Sequence, residues 1–93
     1  MPGKRKTPQD SLTVLTDTVL PGETNAINNL FGGELLARMD RAAAISAKRH
    51  SKQFVVTSSV NNVSFGMPIP LGSTVTIEAK VSRVFNSSME VYI

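Results

Sequence analysis

The sequence predicts an α+β domain in which one long helix packs against an antiparallel sheet. Residues 31–49 form one Ala-rich helical run, and residues 74–85 alternate apolar and polar side chains. The other apolar runs are short and bounded by Pro, Gly or Asn, as strands are. Ninety-three residues allow one small domain with a modest core.

The elements follow in chain order. Residues 1–11 hold Lys4, Arg5, Lys6 and Asp10, so +2 of the formal net charge of +3 lies here. This stretch is expected to be a disordered basic tail, with the domain spanning residues 12–93. Residues 12–20 (LTVLTDTVL) mix β-branched and apolar residues with Thr and stop at Pro21-Gly22, which predicts a strand. Residues 23–30 form a loop, with Asn28 or Asn29 as the candidate helix cap.

The helix over residues 31–49 would be roughly 28 Å long. Its alanines let a sheet approach closely, and Lys48, Arg49 and His50 suit its negative C-terminal end. Residues 54–63 (FVVTSSVNNV) read as a second strand with loose alternation. The prolines and glycines of residues 65–73 (FGMPIPLGS) forbid a ladder there. In residues 74–85, Val75, Ile77, Ala79 and Val81 share one face of a half-exposed strand. Asn86, Ser87 and Ser88 make a turn into a further strand over residues 89–93, for about four strands in all.

On the helix, angles of about 100° per residue set Met39, Asp40, Ala43 and Ala47 within about 60° of Leu36. Glu34, Arg38, Arg41, Lys48 and Arg49 fall on the opposite side, toward water. Asp40 thus stands on a small, apolar face, where a carboxylate is disfavoured without a partner. It lies too far past the first turn to answer the helix dipole. Spacing alone leaves two readings of Asp40, a buried acid satisfied by a local donor or a functional carboxylate. Just before the helix, the Asn-rich turn and Gly32-Gly33 let a ligand approach free N–H groups at its N-terminus.

Other chemistries are excluded. Zero Cys leaves no disulfide, zinc-thiolate site or cysteine nucleophile, and a reducing cytoplasm is the default compartment. A single His at the far end of the helix gives no Ser-His-Asp arrangement and no metal cluster. Gly32-Gly33 lacks the GK[ST] element of a P-loop. Outside the tail no basic face with interleaved aromatics suggests a nucleic-acid partner, and no apolar run is long enough to span a membrane. A carboxylate, a carboxamide and a helix N-terminus remain, a set suited to hydrolysing a thioester.

The pattern TNxxxxxFGGxxxxxMD from Thr24 to Asp40, then VVT at residues 55–57 and FxxPIxxG at residues 65–72, resembles the hotdog-fold acyl-CoA thioesterases. Within that family the broad-specificity acyl-CoA hydrolases are most similar, and the resemblance covers residues 12–93. It implies acyl-CoA hydrolysis to free acid and CoA, with no separate cofactor. Asp40 takes the carboxylate role, and the Gly32 and Gly33 amides face the carbonyl. Asn25 of one chain positions water or substrate for Asp40 of another, in a homodimer or a higher assembly such as a trimer of dimers. Read on its own, Asn25 is equally an Asx-turn residue. The family commonly has Gly where this chain has Asn28, and a polar or basic residue where it has Gly66-Met67. Coenzyme phosphates then turn to Arg83, Ser87 and Ser88, or to Lys52. The resemblance also implies about two more C-terminal strands than the sequence contains, so that a truncation or a partner's strands would account for the sheet. The rival readings are a non-catalytic acyl-CoA-binding module and an inactive fragment.

Overall fold

The computed structural model describes residues 8–53, 55–60, 63, 66–85 and 87–93. The predicted arrangement is present. A 20-residue helix, α2 (Gly32–Ser51), lies against an antiparallel sheet of β1 (Thr13–Thr18), β2 (Thr74–Val84) and β3 (Met89–Tyr92), in the order β1-β2-β3. A one-turn helix, α1 (Pro8–Ser11), precedes β1, and a 3-10 turn, Pro21–Glu23, follows it. Register runs from Thr13 opposite Ala79 to Thr18 opposite Thr74, so β2 is the central strand. Its alternation holds: Ile77, Ala79 and Val81 are buried, while Thr76, Glu78 and Lys80 face solvent.

Small residues set the distance between helix and sheet. Ala42 and Ala79 are fully buried and pack with Ile77, flanked by Leu35, Met39, Leu15, Val75 and Val91. Burying a side chain the size of Ile77 contributes about 1.5–3 kcal/mol. On α2 the sheet-facing stripe is therefore Leu35, Met39, Ala42 and Ser46, with Arg38 beside it, at helical spacing. The face centred on Leu36 is not the one the sheet takes. Two readings fail with it: Arg38 does not point to water but is buried, and Asp40, placed on the apolar face, is exposed, which removes the buried-acid alternative.

Three further corrections concern boundaries. Ordered structure begins before residue 12, because Pro8–Ser11 is helical and Ser11 is fully buried; residues 1–7 lie outside the described residues. Residues 55–60 form no ladder, and Val56 and Val60 are exposed. An extended segment becomes a strand only where a neighbour pairs with its backbone, and among the described residues the sheet has three strands rather than four. Phe54, Asn61 and Asn62 lie outside the described residues. The helix cap is Phe31, with no side-chain cap bond, instead of Asn28 or Asn29, which serve the preceding turn.

Ser11 shows why the domain starts early. β1 pairing ends at Thr13 opposite Ala79, and the Val81 N–H beyond it donates to Ser11 Oγ at 2.8 Å. The Ser11 carbonyl accepts the Ser46 hydroxyl at 2.8 Å, tying α1 to α2. Ser11→Ala should leave the Val81 N–H without its acceptor and cost about 1–3 kcal/mol. Thermal unfolding checks this, with an expected fall in Tm of about 4–8 °C for each kcal/mol in a domain of this size.

Candidate active site

The turn before α2 is built by asparagines. Thr24 bridges Leu30, the Asn25 N–H donates to the Asn29 carbonyl at 2.8 Å, and the Asn28 N–H donates to the Asn25 carbonyl at 3.0 Å. Asn28 adopts φ 60°, so Asn takes the left-handed position that the resemblance assigns to Gly. Asn25 Oδ1 accepts the Ile27 and Asn29 N–H groups, both at 3.1 Å. Its oxygen therefore shapes the turn, and the carboxamide NH₂ takes no part in those two bonds. Leu30 N–H to the Ile69 carbonyl at 2.7 Å and Leu71 N–H to the Asn28 carbonyl at 2.8 Å lock the turn to the Pro-rich loop.

The turn delivers the chain into α2 with its first amides open. The intrahelical ladder starts with Leu35 N–H donating to the Phe31 carbonyl at 3.0 Å, so the Gly32, Gly33 and Glu34 amides precede it. A methyl group built on Gly33 would meet no atom within 4 Å, and Gly32 and Gly33 are both exposed. This is an accessible donor array at the positive end of a 20-residue helix.

Asp40 lies about 10 Å farther along the axis at 1.5 Å per residue. It is exposed on α2, about 100° around the helix from Met39, and the Thr57 hydroxyl donates to its Oδ1. That bond fixes the orientation of a carboxylate which would otherwise rotate freely. Thr57 entered the sequence reading only as part of the VVT triplet. A hydroxyl 17 residues after an aspartate gives no pairing signal, because the two meet through the fold.

Arg38 was the other residue missed. Its Nη2 donates to Glu23 Oε1 at 2.9 Å and to the Thr18 carbonyl at 3.4 Å, joining α2 to the 3-10 turn and the end of β1. The Leu20 N–H donates to the same Glu23 oxygen at 2.9 Å. The Leu20 amide, and after it the Arg38 guanidinium, hold the Glu23 carboxyl below the usual carboxylate range, outweighing a burial effect that opposes them. A lowered carboxyl favours the fold above the unfolded value near 4.5, and this contribution is lost as pH falls through the folded value. Acid titration of stability should therefore show a component below pH 4.5 that Glu23→Gln abolishes.

The remaining predicted residues are not gathered in one chain. Arg83, Ser87 and Ser88 are exposed at the β2–β3 connection. That end of β2 lies by the C-terminal part of α2, as the Ser46–Ser11–Val81 link shows, and not by Gly32-Gly33. Lys52 is the left-handed C-cap of α2, and His50 sits in its last turn. A hollow of about 400 Å³ between β1, β2 and α2 is lined by Leu15, Asp17, Arg38 and Arg41 among others, and includes neither Asn25 nor Asp40. Among the described residues no helix is long and apolar enough to cross a membrane, and no three His, Asp or Glu side chains gather as metal ligands.

Comparison with known proteins follows the same outline. A Bacillus subtilis (strain 168) protein described as an uncharacterised acyl-CoA thioester hydrolase, YkhA, is 42% identical over 85 residues, which are 91% of this chain and 49% of that protein. The solved Staphylococcus aureus acyl-CoA hydrolase, in complex with butyryl coenzyme A, coenzyme A and coenzyme A disulfide, superposes with a TM-score of 0.89 at 40% identity, over 92% of this chain and 52% of that one. The same enzyme has been solved with single alanine substitutions at an asparagine, an aspartate and a threonine, successively 15 and 17 residues apart. An apo-hexameric acyl-CoA thioesterase superposes with a TM-score of 0.88 at 36% identity, over 92% of this chain and 55% of that one. The chain thus spans about half the length of these relatives. The Thioesterase superfamily model matches residues 27–93, the greater part of the chain, and the protein belongs to that superfamily.

Proposed function

We propose that the protein hydrolyses acyl-CoA thioesters to a carboxylic acid and CoA, with Asp40 as its carboxylate and Asn25, Thr57 and the Gly32-Gly33 amides as supporting groups. The observation that carries this reading is the Asp40–Thr57 pair, an oriented, solvent-accessible carboxylate on the helix whose N-terminal amides stand open. Asn25, Asp40 and Thr57 keep the 15- and 17-residue separations of the three residues substituted in the Staphylococcus aureus enzyme. Superfamily membership and the CoA complexes of that enzyme support the substrate class.

In this reading the thioester carbonyl oxygen faces the Gly33 amide, where negative charge develops, and removing one such donor costs on the order of 10²–10³ in rate. Asp40 either takes a proton from the attacking water or attacks the carbonyl carbon itself to form an anhydride that water then opens. In both routes the C–S bond breaks, the thiolate of CoA leaves and is protonated, and water supplies the acid's new oxygen. Water and substrate suffice, with no further cofactor.

The site takes parts from at least two copies. Asn25 and Gly32-Gly33 lie at one end of α2 while Asp40 lies about two turns along it, a gap that the arrangement implied by the family resemblance, Asn25 of one copy facing Asp40 of another, would close. A hexameric relative supports a homo-oligomer, either a dimer or a trimer of dimers. Arg83, Ser87 and Ser88 then meet the coenzyme phosphates from a neighbouring copy, and the cytoplasm is the compartment that fits. The test is thiol release from a short panel of acyl-CoAs, measured beside the mass of the assembly. CoA release by an oligomer is expected; a folded oligomer that binds acyl-CoA without releasing thiol would favour a binding module instead.

A further inference from the structure

We propose that Arg38 and Glu23 form a positioning device that holds the Asn25 turn against the N-terminus of α2. The inference rests on the functional reading above and extends it to two residues that touch no reacting atom.

Arg38 stands two turns into α2, yet helical side chains lean back toward the N-terminus, and its guanidinium reaches the 3-10 turn before the helix. A single Glu23 oxygen accepts both this guanidinium and the Leu20 N–H, each at 2.9 Å, which fixes the start of the 3-10 turn. The Glu23 carbonyl accepts the Phe31 N–H at 3.0 Å, which fixes the residue capping α2. The segment between these two anchors is the turn that carries Asn25, closed at its base by the Thr24–Leu30 bridge. Glu23 thus grips both ends of the turn, one through its neighbour and one through its own backbone. Arg38 grips Glu23.

The arrangement is costly for packing alone. Arg38 is 5% exposed at the edge of the sheet-facing side of a helix, and its Nη1 is buried without a hydrogen-bond partner among the described residues. An apolar side chain would fill that position without leaving a polar atom unsatisfied. The charge instead gives the turn one direction relative to α2. Misplacing a group by about 1 Å costs on the order of 10²-fold in rate, so this direction governs how well the Asn25 carboxamide meets its substrate.

The test compares Arg38→Met, which keeps most of the volume without the charge, with Arg38→Lys, which returns the charge. Two readouts are taken on folded protein: kcat and KM for acyl-CoA hydrolysis, and amide hydrogen exchange at Asn28, Asn29, Leu30 and Phe31 with Ile77 and Val81 as references. Arg38→Met is expected to lower kcat about 10- to 100-fold with little change in KM. It should speed exchange in the turn and leave the references unchanged, and Arg38→Lys should recover part of both. Turn exchange and kcat at parent levels in Arg38→Met would overturn the proposal, as would exchange that accelerates equally at the references. If the parent protein hydrolyses no acyl-CoA, the functional reading fails, and the exchange comparison alone still decides whether Arg38 holds the turn.

Discussion

Asp40→Asn is expected to lower acyl-CoA turnover by about 10²–10⁴-fold while leaving acyl-CoA binding in place. The change keeps volume and hydrogen-bonding shape but removes the group that accepts a proton or attacks the carbonyl. Asp40 is exposed, and among the described residues its one side-chain partner is the Thr57 hydroxyl, which Asn can also accept through its carbonyl oxygen. Stability should therefore change by no more than about 0.5 kcal/mol, as at most surface positions. Thiol release and thermal unfolding on the same variant separate the two roles. A drop in melting temperature with parent turnover per folded molecule would make Asp40 a structural acid.

Ala42→Leu should destabilise the fold by crowding rather than by loss of contact. Ala42 is fully buried against Ile77 and Ala79, and the Ala42–Ala79 pairing sets how close α2 comes to β2. Three extra heavy atoms must push helix and sheet apart or force strained rotamers, at about 1–3 kcal/mol. Ala42→Gly is a useful contrast, since its cost of about 1 kcal/mol comes from helix propensity rather than crowding. Thermal unfolding of both variants tests the packing, and an Ala42→Leu protein as stable as the parent would mean that the interface is loose.

The central helix and β2 were legible because their periods are strong and local. α2 extends from Gly32 to Ser51 against an expected 31–49, and β2 from Thr74 to Val84 against 74–85. What the sequence could not supply was the orientation of the helix. Leu35 and Leu36 are both apolar and lie about 100° apart, so either can centre a buried face. Only the sheet, formed by residues 15 or more positions away, chooses Leu35. Arg38 follows from that choice, because a charge is assigned to water unless its partner is visible, and Glu23 lies 15 residues upstream in a turn. The same reasoning applies to Thr57. Asn25 shows the opposite case, where a local Asx geometry was legible from the turn composition and the structure contains it. Residues 55–60 failed as a strand because apolar content does not supply a pairing partner.

Mixing two inactive variants tests the shared site most directly. Asn25→Asp keeps the oxygen that shapes the turn and removes the carboxamide NH₂, and Asp40→Asn removes the carboxylate. If Asn25 of one copy serves Asp40 of another, a mixed pair of subunits contains one site with both residues intact and one with neither. Co-refolding the two variants in equal amounts should then restore about a quarter of parent thiol release, since about half of random pairs are mixed and half of their sites are whole. No recovery, in assemblies shown by mass to contain both variants, would contradict a site built across two copies.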